Sequence, residues 1–210
     1  MSAFRNADGK SIVMAAIKAV QNNKDYLGEI DGLIGDGDHG MNMNKGFTIC
    51  ETRIADQDIS FSEALDTLGS ILLMEIGGSM GPIYGTIFMN MAEEAMDEID
   101  EKVFSMMLSS ALDGLKDIID ARVGDKTLVD VLEPAVNGFC KATDEGKDFA
   151  SALAVLKENA EKGKESTRDL VAKFGRSSRL GERSKGVLDA GATSCNIILS
   201  AMADGILALL

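Results

Sequence analysis

The sequence predicts an all-α protein, a single domain of eight antiparallel, up-and-down helices over residues 1–210. Three observations predict this class. Apolar residues recur at the three- and four-residue spacing of a buried helix face along almost the whole chain. Only two of the 210 residues are proline, and no segment has the composition of an interdomain linker. The breaks between periodic segments are short, which favours antiparallel neighbours in sequence order.

Each predicted helix has its own run of apolar periodicity. The eight predicted helices cover about 13–20, 43–54, 60–76, 82–97, 103–123, 128–142, 149–173 and 192–209. Ser60 and Glu63 form an S-x-x-E capping box at the start of the third helix. Pro134 kinks the sixth helix or lies near its first turn. Segment 29–34 is the only candidate strand, and it is not a convincing one.

Four of the predicted connections carry an unusual amount of glycine and charge. They follow the first, third, fifth and seventh helices, at 31–42, 77–82, 124–127 and 175–191. In an up-and-down bundle, alternate loops lie at the same end. The four loops are therefore predicted to converge on one site.

The first of these loops contains three closely spaced carboxylates, Asp31, Asp36 and Asp38, separated mainly by glycines. Such carboxylates repel one another unless a cation lies between them, and oxygen-only ligands suit Mg²⁺, which commonly also binds substrate phosphates. The glycines permit sharp turns, and helical sequence follows from Asn42, so backbone N–H groups are available for an anion. The loop is predicted to hold Mg²⁺ and, through it, a nucleotide diphosphate.

Two other motifs overlap this loop and are rejected. Residues 35–40 match G-x-G-x-x-G, but the βαβ surroundings that this fingerprint requires are missing. An EF-hand beginning at Asp31 fails because Leu33 and Asn42 occupy ligand positions. Taken alone, the loop could also be a solvated Asp/Gly turn without a ligand.

The other three loops each leave alternatives open. Residues 77–81 suit a phosphate or form a helix end and turn. Lys126 meets an anion, or Thr127 caps the next helix. Arginines within 176–183 clamp phosphate and neutralise charge in phosphoryl transfer, or they pair at the surface. Asp189 is a helix cap or a ribose partner.

Composition limits the class of protein. The formal net charge of −13 disfavours nucleic acid and anionic membranes as partners. No run approaches the ~18 apolar residues of a membrane span, and residues 1–8 lack a signal-peptide core. The three cysteines lie far apart in sequence, which favours a reducing cytoplasm and argues against zinc. A cytoplasmic protein is expected.

Together these loops resemble the L subunit of dihydroxyacetone kinase, the DhaL family. The segments that carry the resemblance are 34–40 (IGDGDHG), 77–85, 124–127 (GDKT), 175–184 and 189–193. The resemblance implies a barrel of eight antiparallel helices that binds ADP or ATP at one end. It implies two Mg²⁺ ions on Asp31, Asp36 and Asp38. The nucleotide contacts that it implies are at His39, Gly40, Met41, Asn42, Ser79, Met80, Gly124, Arg176, Asp189, Ala190 and Gly191.

This sequence departs from the common family pattern at a few positions. Met41, the pair Ser79-Met80, Val187 and Ala190 differ from the residues that are frequent there. Contacts made mainly through the backbone would tolerate these changes. Arg176, in a loop predicted to face the metal site, is the candidate catalytic residue. A fixed guanidinium can neutralise the charge of the phosphoryl group during transfer.

The resemblance also implies a division of labour between subunits. In the family, a histidine of a separate K subunit holds the triose, whereas this chain has one histidine, His39, inside the metal loop. The chain is therefore expected to carry a phosphoryl group on Mg-bound nucleotide and to present it to dihydroxyacetone on the K subunit. In the family version that depends on the phosphotransferase system, an M-type phosphohistidine subunit recharges the nucleotide, and the resemblance implies the same partner here. The alternatives are an ATP-dependent kinase subunit for dihydroxyacetone or a related sugar, and a nucleotide-state reporter that acts on a transcription regulator. A homodimer stays open.

Overall fold

The computed structural model describes residues 2–210 and confirms the all-α class. Within these residues the α-helices are α1 (Lys10–Asn22), α2 (Lys24–Ile34), α3 (His39–Ile54), α4 (Phe61–Glu75), α5 (Met80–Glu93), α6 (Glu101–Ile118), α7 (Val129–Asp144), α8 (Phe149–Ser166) and α9 (Ala190–Leu207). Short 3₁₀ segments cover Asn6–Asp8, Thr167–Asp169 and Arg176–Ser184. Two-residue strands, β1 (Phe4–Arg5) and β2 (Glu98–Ile99), pair antiparallel.

Eight of the helices form a closed ring. Each of α3 to α8 packs on the next helix in the chain, α1 packs on α3, and α9 packs on α1 to close the circle. The interior is one continuous apolar core, in which the aromatic rings of Phe104, Phe139 and Phe149 lie 5.4–6.1 Å apart. Helix α9 has the length and hydropathy of a membrane span, but 61% of that window is buried inside the protein, as in a soluble core helix.

Helix α2 is the element that the sequence analysis missed. The segment considered as a candidate strand lies inside this helix. Only Leu27, Ile30 and Ile34 of α2 are buried, so its apolar stripe is too short to stand out in the sequence. The helix lies outside the ring, where it packs mainly on α3. A Cβ on Gly40 would lie 2.0 Å from the carbonyl oxygen of Lys24, so glycine is required where the two helices meet.

Three predicted helix ends extended too far. Helix α5 ends at Glu93, α6 at Ile118 and α8 at Ser166. Beyond α6 the backbone becomes extended at Ile119, and beyond α8 it enters a 3₁₀ turn. The capping box is confirmed, since the Ser60 hydroxyl accepts from the Glu63 N–H and the Glu63 carboxylate accepts from the Ser60 N–H. Pro134 lies inside α7.

Because α2 continues away from α1 without folding back on it, the alternation of the loops is preserved. The connections α2–α3, α4–α5, α6–α7 and α8–α9 all line one cavity. These are the four glycine-rich, charged loops that were expected to meet at one end of the bundle.

Candidate functional site

The cavity at this end has a volume of about 670 Å³. Its wall is built from the four loops and from the first turns of the helices that follow them. The lining residues are Asp31, Ile34, Gly35, Asp36, Asp38, His39, Asn42, Gly77, Gly78, Ser79, Met80, Ile83, Tyr84, Ile119, Ala121, Lys126, Thr127, Leu128, Phe174, Gly175, Arg176, Ser177, Asp189, Ala190 and Gly191.

Three carboxylates meet on one side of the cavity. Asp31 lies in the last turn of α2, Asp36 in the turn, and Asp38 just before α3. One oxygen of each lies within 4.8 Å of the others. Partial burial and the negative charges of Asp36 and Asp31 raise the pKa of Asp38. Such a set of oxygen ligands, with mutual repulsion, fits a hard divalent cation such as Mg²⁺.

The turn that brings the carboxylates together depends on Gly35. A Cβ at this position would lie 2.2 Å from the Asp31 carboxylate oxygen, so any larger residue would displace a member of the cluster. The backbone N–H of His39 donates to the same carboxylate, at 3.3 Å. The glycine and this hydrogen bond fix Asp31 against the start of α3.

Arg176 lies on the opposite loop and reaches this cluster. Its Nε lies 3.0 Å from Asp36 Oδ2 in an ion pair, and its side chain is 64% exposed. Gly175, with φ +66°, directs the chain into the 3₁₀ segment that begins at Arg176. The structure therefore brings together the proposed metal ligands and the proposed catalytic residue.

His39 has a different environment. The side chain is buried, and its Nε2 lies 2.8 Å from the Ser194 hydroxyl, which lies 2.7 Å from the Tyr84 hydroxyl. Burial lowers the pKa of His39 to about 4, so the ring is neutral at pH 7. The ring joins α3, α5 and α9 and is not available as a surface nucleophile.

Two helix starts at the cavity have no side-chain cap. The side chains of Asp38 before α3 and Ser79 before α5 do not accept from the backbone N–H groups of their helices. At the start of α3, only the His39 N–H has a side-chain partner, the Asp31 carboxylate. Ser79 and Met80 both line the cavity, next to Gly77 and Gly78. A Cβ at either glycine would have no atom within 4 Å. The uncapped N–H groups at such helix starts suit an anion.

The turn before α7 is held by its own side chains. The Asp130 carboxylate accepts from the N–H of Gly124 at 2.6 Å and from the N–H of Thr127 at 2.7 Å. The Thr127 hydroxyl accepts from Val129 N–H at 3.2 Å, which supports the capping alternative. Lys126 donates to two backbone carbonyls and so does not meet an anion in this structure.

Asp189 closes the remaining side. Its carboxylate accepts from the Ala192 N–H at 2.7 Å and so caps α9. Burial raises the pKa of this carboxyl to about 6. Ala190 and Gly191 follow it along the cavity wall.

Most of the residues singled out in the sequence line the cavity. Within the described chain, Gly40, Met41 and Gly124 are outside this lining set. The backbone of Gly40 packs on α2, the side chain of Met41 is 59% exposed, and Gly124 binds Asp130. Apart from Met80, the sequence analysis missed the apolar residues that line the cavity, which we call its apolar side. That side consists of Met80, Ile83, Ile119, Ala121, Leu128 and Phe174. An apolar residue within a predicted loop, such as Phe174, was the sequence signal that could have revealed this lining.

Comparisons with known proteins show which family this chain resembles. The DAK2 domain model matches residues 33–204. The ADP-binding subunit DhaL of PEP-dependent dihydroxyacetone kinase 1 from Listeria innocua is 35% identical, over 87% of this chain and 88% of its own. The corresponding DhaL subunit of Escherichia coli is 36% identical, over 85% and 87%.

Solved structures of the dihydroxyacetone kinase of C. freundii share the fold. The native form has a TM-score of 0.72 at 21% identity and covers 96% of this chain. The form in complex with AMP-PNP and Mg²⁺ has a TM-score of 0.68 at 20% identity and covers 97%. This chain spans about a third of that kinase, since 35% of the kinase chain is covered in both cases.

Proposed function

Because the chain belongs to the DAK2-domain family, in its branch of DhaL ADP-binding subunits, we propose that it is the ADP-binding subunit of a PEP-dependent dihydroxyacetone kinase. In this proposal residues 1–210 are one domain that carries a phosphoryl group on Mg-bound nucleotide. It transfers that group to dihydroxyacetone on a separate K subunit. The observation that carries the proposal is the convergence of three carboxylates, two uncapped helix starts and Arg176 on one cavity.

Asp31, Asp36 and Asp38 are the proposed metal ligands. Their oxygen donors and mutual repulsion fit Mg²⁺, and the proposal assigns two ions to the three carboxylates. When bound, Mg²⁺ neutralises the phosphate charge of the nucleotide and orients the phosphates for in-line transfer. In an acidic protein, such screening is what allows an anionic ligand to bind beside carboxylates.

The nucleotide is proposed to lie across the cavity. The N–H groups at the starts of α3 and α5 face its phosphates, with contacts at residues 39–42, Ser79 and Met80. The turn at Gly124 and the segment Asp189–Gly191 complete the proposed contact set. The apolar side of the cavity suits the base, because a planar ring gains from the burial of its faces there.

Arg176 is proposed to act on the phosphoryl group. Its guanidinium lies within reach of the carboxylate cluster, where the phosphates are expected, and it can offer two parallel donors to phosphate oxygens. Charge spreads over these oxygens during transfer, so a fixed cation stabilises the transition state.

The triose is proposed to be bound by a partner. His39 is buried and bonded to Ser194, so this chain presents no accessible histidine for covalent attachment of a carbonyl substrate. Exposed apolar side chains at Leu33 and Met41, next in sequence to the cavity residues Ile34 and Asn42, suit contact with another protein. We assign that contact to the K subunit and, in the recharging step, to an M-type phosphohistidine subunit.

The test begins with purification of the protein without added nucleotide. Denaturation and chromatography of the released material should yield ADP in amounts close to the protein concentration, and Asp38→Asn should yield none. Adding a K subunit, dihydroxyacetone and an M-type donor charged by PEP should then give product without free ATP. Product with free ATP alone would favour the ATP-dependent alternative, and failure to retain or bind Mg·ADP would contradict the proposal.

A further inference from the structure

The segment that carries Arg176 is a long loop with a closed base. We call residues 167–189, between α8 and α9, the Arg176 loop. Where the loop returns to its origin, the Gly186 N–H donates to the Arg168 carbonyl at 2.8 Å. The Asp189 N–H donates to the Thr167 hydroxyl at 3.0 Å. These bonds join the first and last residues of the loop.

Lys126, from the turn before α7, lies at this base. Its side chain is 1% exposed, and its Nζ donates to the carbonyl oxygens of Thr167, at 2.6 Å, and Val187, at 2.5 Å. One carbonyl belongs to the start of the loop and the other to its end. A single ammonium group thus connects the segment that follows α8 with the segment that precedes α9.

The backbone of Lys126 is itself held in place. Lys126 has φ +62°, the one positive φ among the non-glycine residues of the described chain. The Asp130 carboxylate binds the N–H groups of Gly124 and Thr127 on either side of it. The strained backbone is therefore held by α7, and the ammonium group reaches the loop from a rigid support.

The buried ammonium group of Lys126 has carboxylates that partly compensate its charge. Burial lowers the pKa of Lys126, and the charge of Arg168 lowers it further, whereas the charges of Asp189, Asp130 and Asp169 raise it. An ammonium group has three donors and no acceptor, so it can bind two carbonyls that approach from different directions. A neutral side chain of the same length would leave both carbonyls without this partner.

We propose that Lys126 is the positioning residue of the Arg176 loop: it closes the base of the loop and thereby sets where Arg176 lies at the nucleotide site. The part of this inference that concerns phosphoryl transfer rests on the proposed function. Between base and tip, the Ser184 hydroxyl accepts from the Ala172 N–H at 2.9 Å and stiffens the loop. Movement at the base is thus transmitted to the tip.

The first test measures opening of the loop with trypsin, which cleaves after arginine and lysine. The loop offers Arg168, Lys173, Arg176, Arg179, Arg183 and Lys185. Lys126→Met removes the ammonium group and adds no cleavage site. Cleavage in the loop, followed by mass spectrometry, should accelerate by about 10- to 100-fold, because native-state cleavage tracks the open population. The matched control is Lys10→Met, since the Lys10 ammonium also binds backbone carbonyls, at the end of α3 far from the cavity. The control should leave loop cleavage unchanged.

A second variant covers the case in which Lys126→Met does not fold. Thr167→Val is nearly isosteric and removes the hydroxyl that accepts from the Asp189 N–H at the same base. It should accelerate loop cleavage by about fivefold, as expected for one neutral hydrogen bond. Wild-type cleavage rates in a folded Lys126→Met protein, or in Thr167→Val if the first variant does not fold, would overturn the inference.

The second test asks whether Lys126 acts through Arg176. Lys126→Met should slow phosphoryl transfer to the K subunit at least tenfold in the wild-type background, and less than twofold in an Arg176→Lys background. If Lys126→Met slowed transfer by the same factor in both backgrounds, the two substitutions would act independently, and the positioning role would be overturned. If Arg176→Lys alone leaves transfer unchanged, the proposed catalytic role of Arg176 fails, and the trypsin measurement still decides the role of Lys126.

Discussion

Replacing Asp38 by asparagine is expected to change stability in opposite directions with and without ligand. In the ligand-free protein, the Asp38 carboxylate is repelled by Asp36 and Asp31, and this repulsion together with burial raises its pKa. Asparagine keeps the shape of the side chain and removes the charge. The ligand-free variant should therefore be more stable than the wild type, although it removes a proposed metal ligand.

The size of the effect follows from the geometry. The three carboxylate oxygens lie within 4.8 Å of one another. Two unit charges at that distance in a water-like dielectric repel by about 0.9 kcal/mol, so two neighbours contribute about 2 kcal/mol. The cation of Arg176 offsets part of this repulsion. A net gain of about 1 kcal/mol is expected at low ionic strength, and it should shrink as salt is added.

With ligand, the order should reverse. Mg·ADP at 100 times its dissociation constant stabilises the wild type by about 2.7 kcal/mol. If loss of one charged ligand weakens binding by about a hundredfold, the same concentration stabilises Asp38→Asn by only about 0.4 kcal/mol. The variant would then be less stable than the wild type by roughly 1 kcal/mol.

Urea unfolding followed by circular dichroism, with and without Mg·ADP, measures both differences. Asp66→Asn, an exposed aspartate of α4 outside the cluster, is the control and should change neither value. Asp36→Asn should raise the unfolding free energy of the ligand-free protein by less than Asp38→Asn does, because Arg176 loses its ion-pair partner as well. A ligand-free Asp38→Asn protein that is less stable than the wild type and still gains fully from Mg·ADP would refute the metal assignment.

Three further outcomes are expected. Arg176→Lys should keep ADP while single-turnover transfer to the K subunit slows by about two orders of magnitude, since lysine lacks the two-donor fork; loss of ADP would make it a binding residue. Gly40→Ala should lower the unfolding free energy by about 2–3 kcal/mol, because its Cβ meets a backbone carbonyl at 2.0 Å, whereas Gly77→Ala, in open space, should be neutral. Asp189→Asn keeps the side-chain cap of α9. Because the pKa of Asp189 is raised to about 6 in the folded protein, the unfolding free energy of the wild type should fall by up to about 3 kcal/mol relative to this variant between pH 4 and pH 7. Parallel pH profiles of the two proteins in urea unfolding would contradict this.

The meeting of the four loops could be predicted because it depends only on alternation along the chain. Missing α2 did no harm to that argument, since α2 runs on from α1 outside the ring. The helix itself was hidden because Gly28 and Gly32 interrupt a face with only three buried residues. Its packing against α3 depends on backbone approach, which leaves little trace in an apolar pattern.

The role of Lys126 could not be predicted from the sequence for a different reason. A lysine beside Gly124 and Thr127 suggests an anion site, because local sequence shows only its neighbours. Its actual partners, the carbonyls of Thr167 and Val187, lie 41 and 61 residues away and are backbone atoms without a residue signature. The apolar side of the cavity was missed similarly, since Ile119 was assigned to the stripe of a helix that ends one residue earlier.

The position of Arg176 is set by the contacts of its loop more than by its own ion pair. Three residues before Arg176, the Lys173 N–H donates to the Asp125 carbonyl at 3.1 Å. The ion pair with Asp36 joins a side chain that is 64% exposed to one that is 34% exposed, and such pairs contribute about 0–1 kcal/mol. The base contains the buried ammonium of Lys126, two carbonyls and two further hydrogen bonds. Buried hydrogen bonds to a charged group contribute more than an exposed ion pair. Arg176 can therefore exchange one anionic partner for another while its loop stays in place. The proposed role of Arg176 requires this, because its guanidinium would have to leave Asp36 to bind the phosphoryl group.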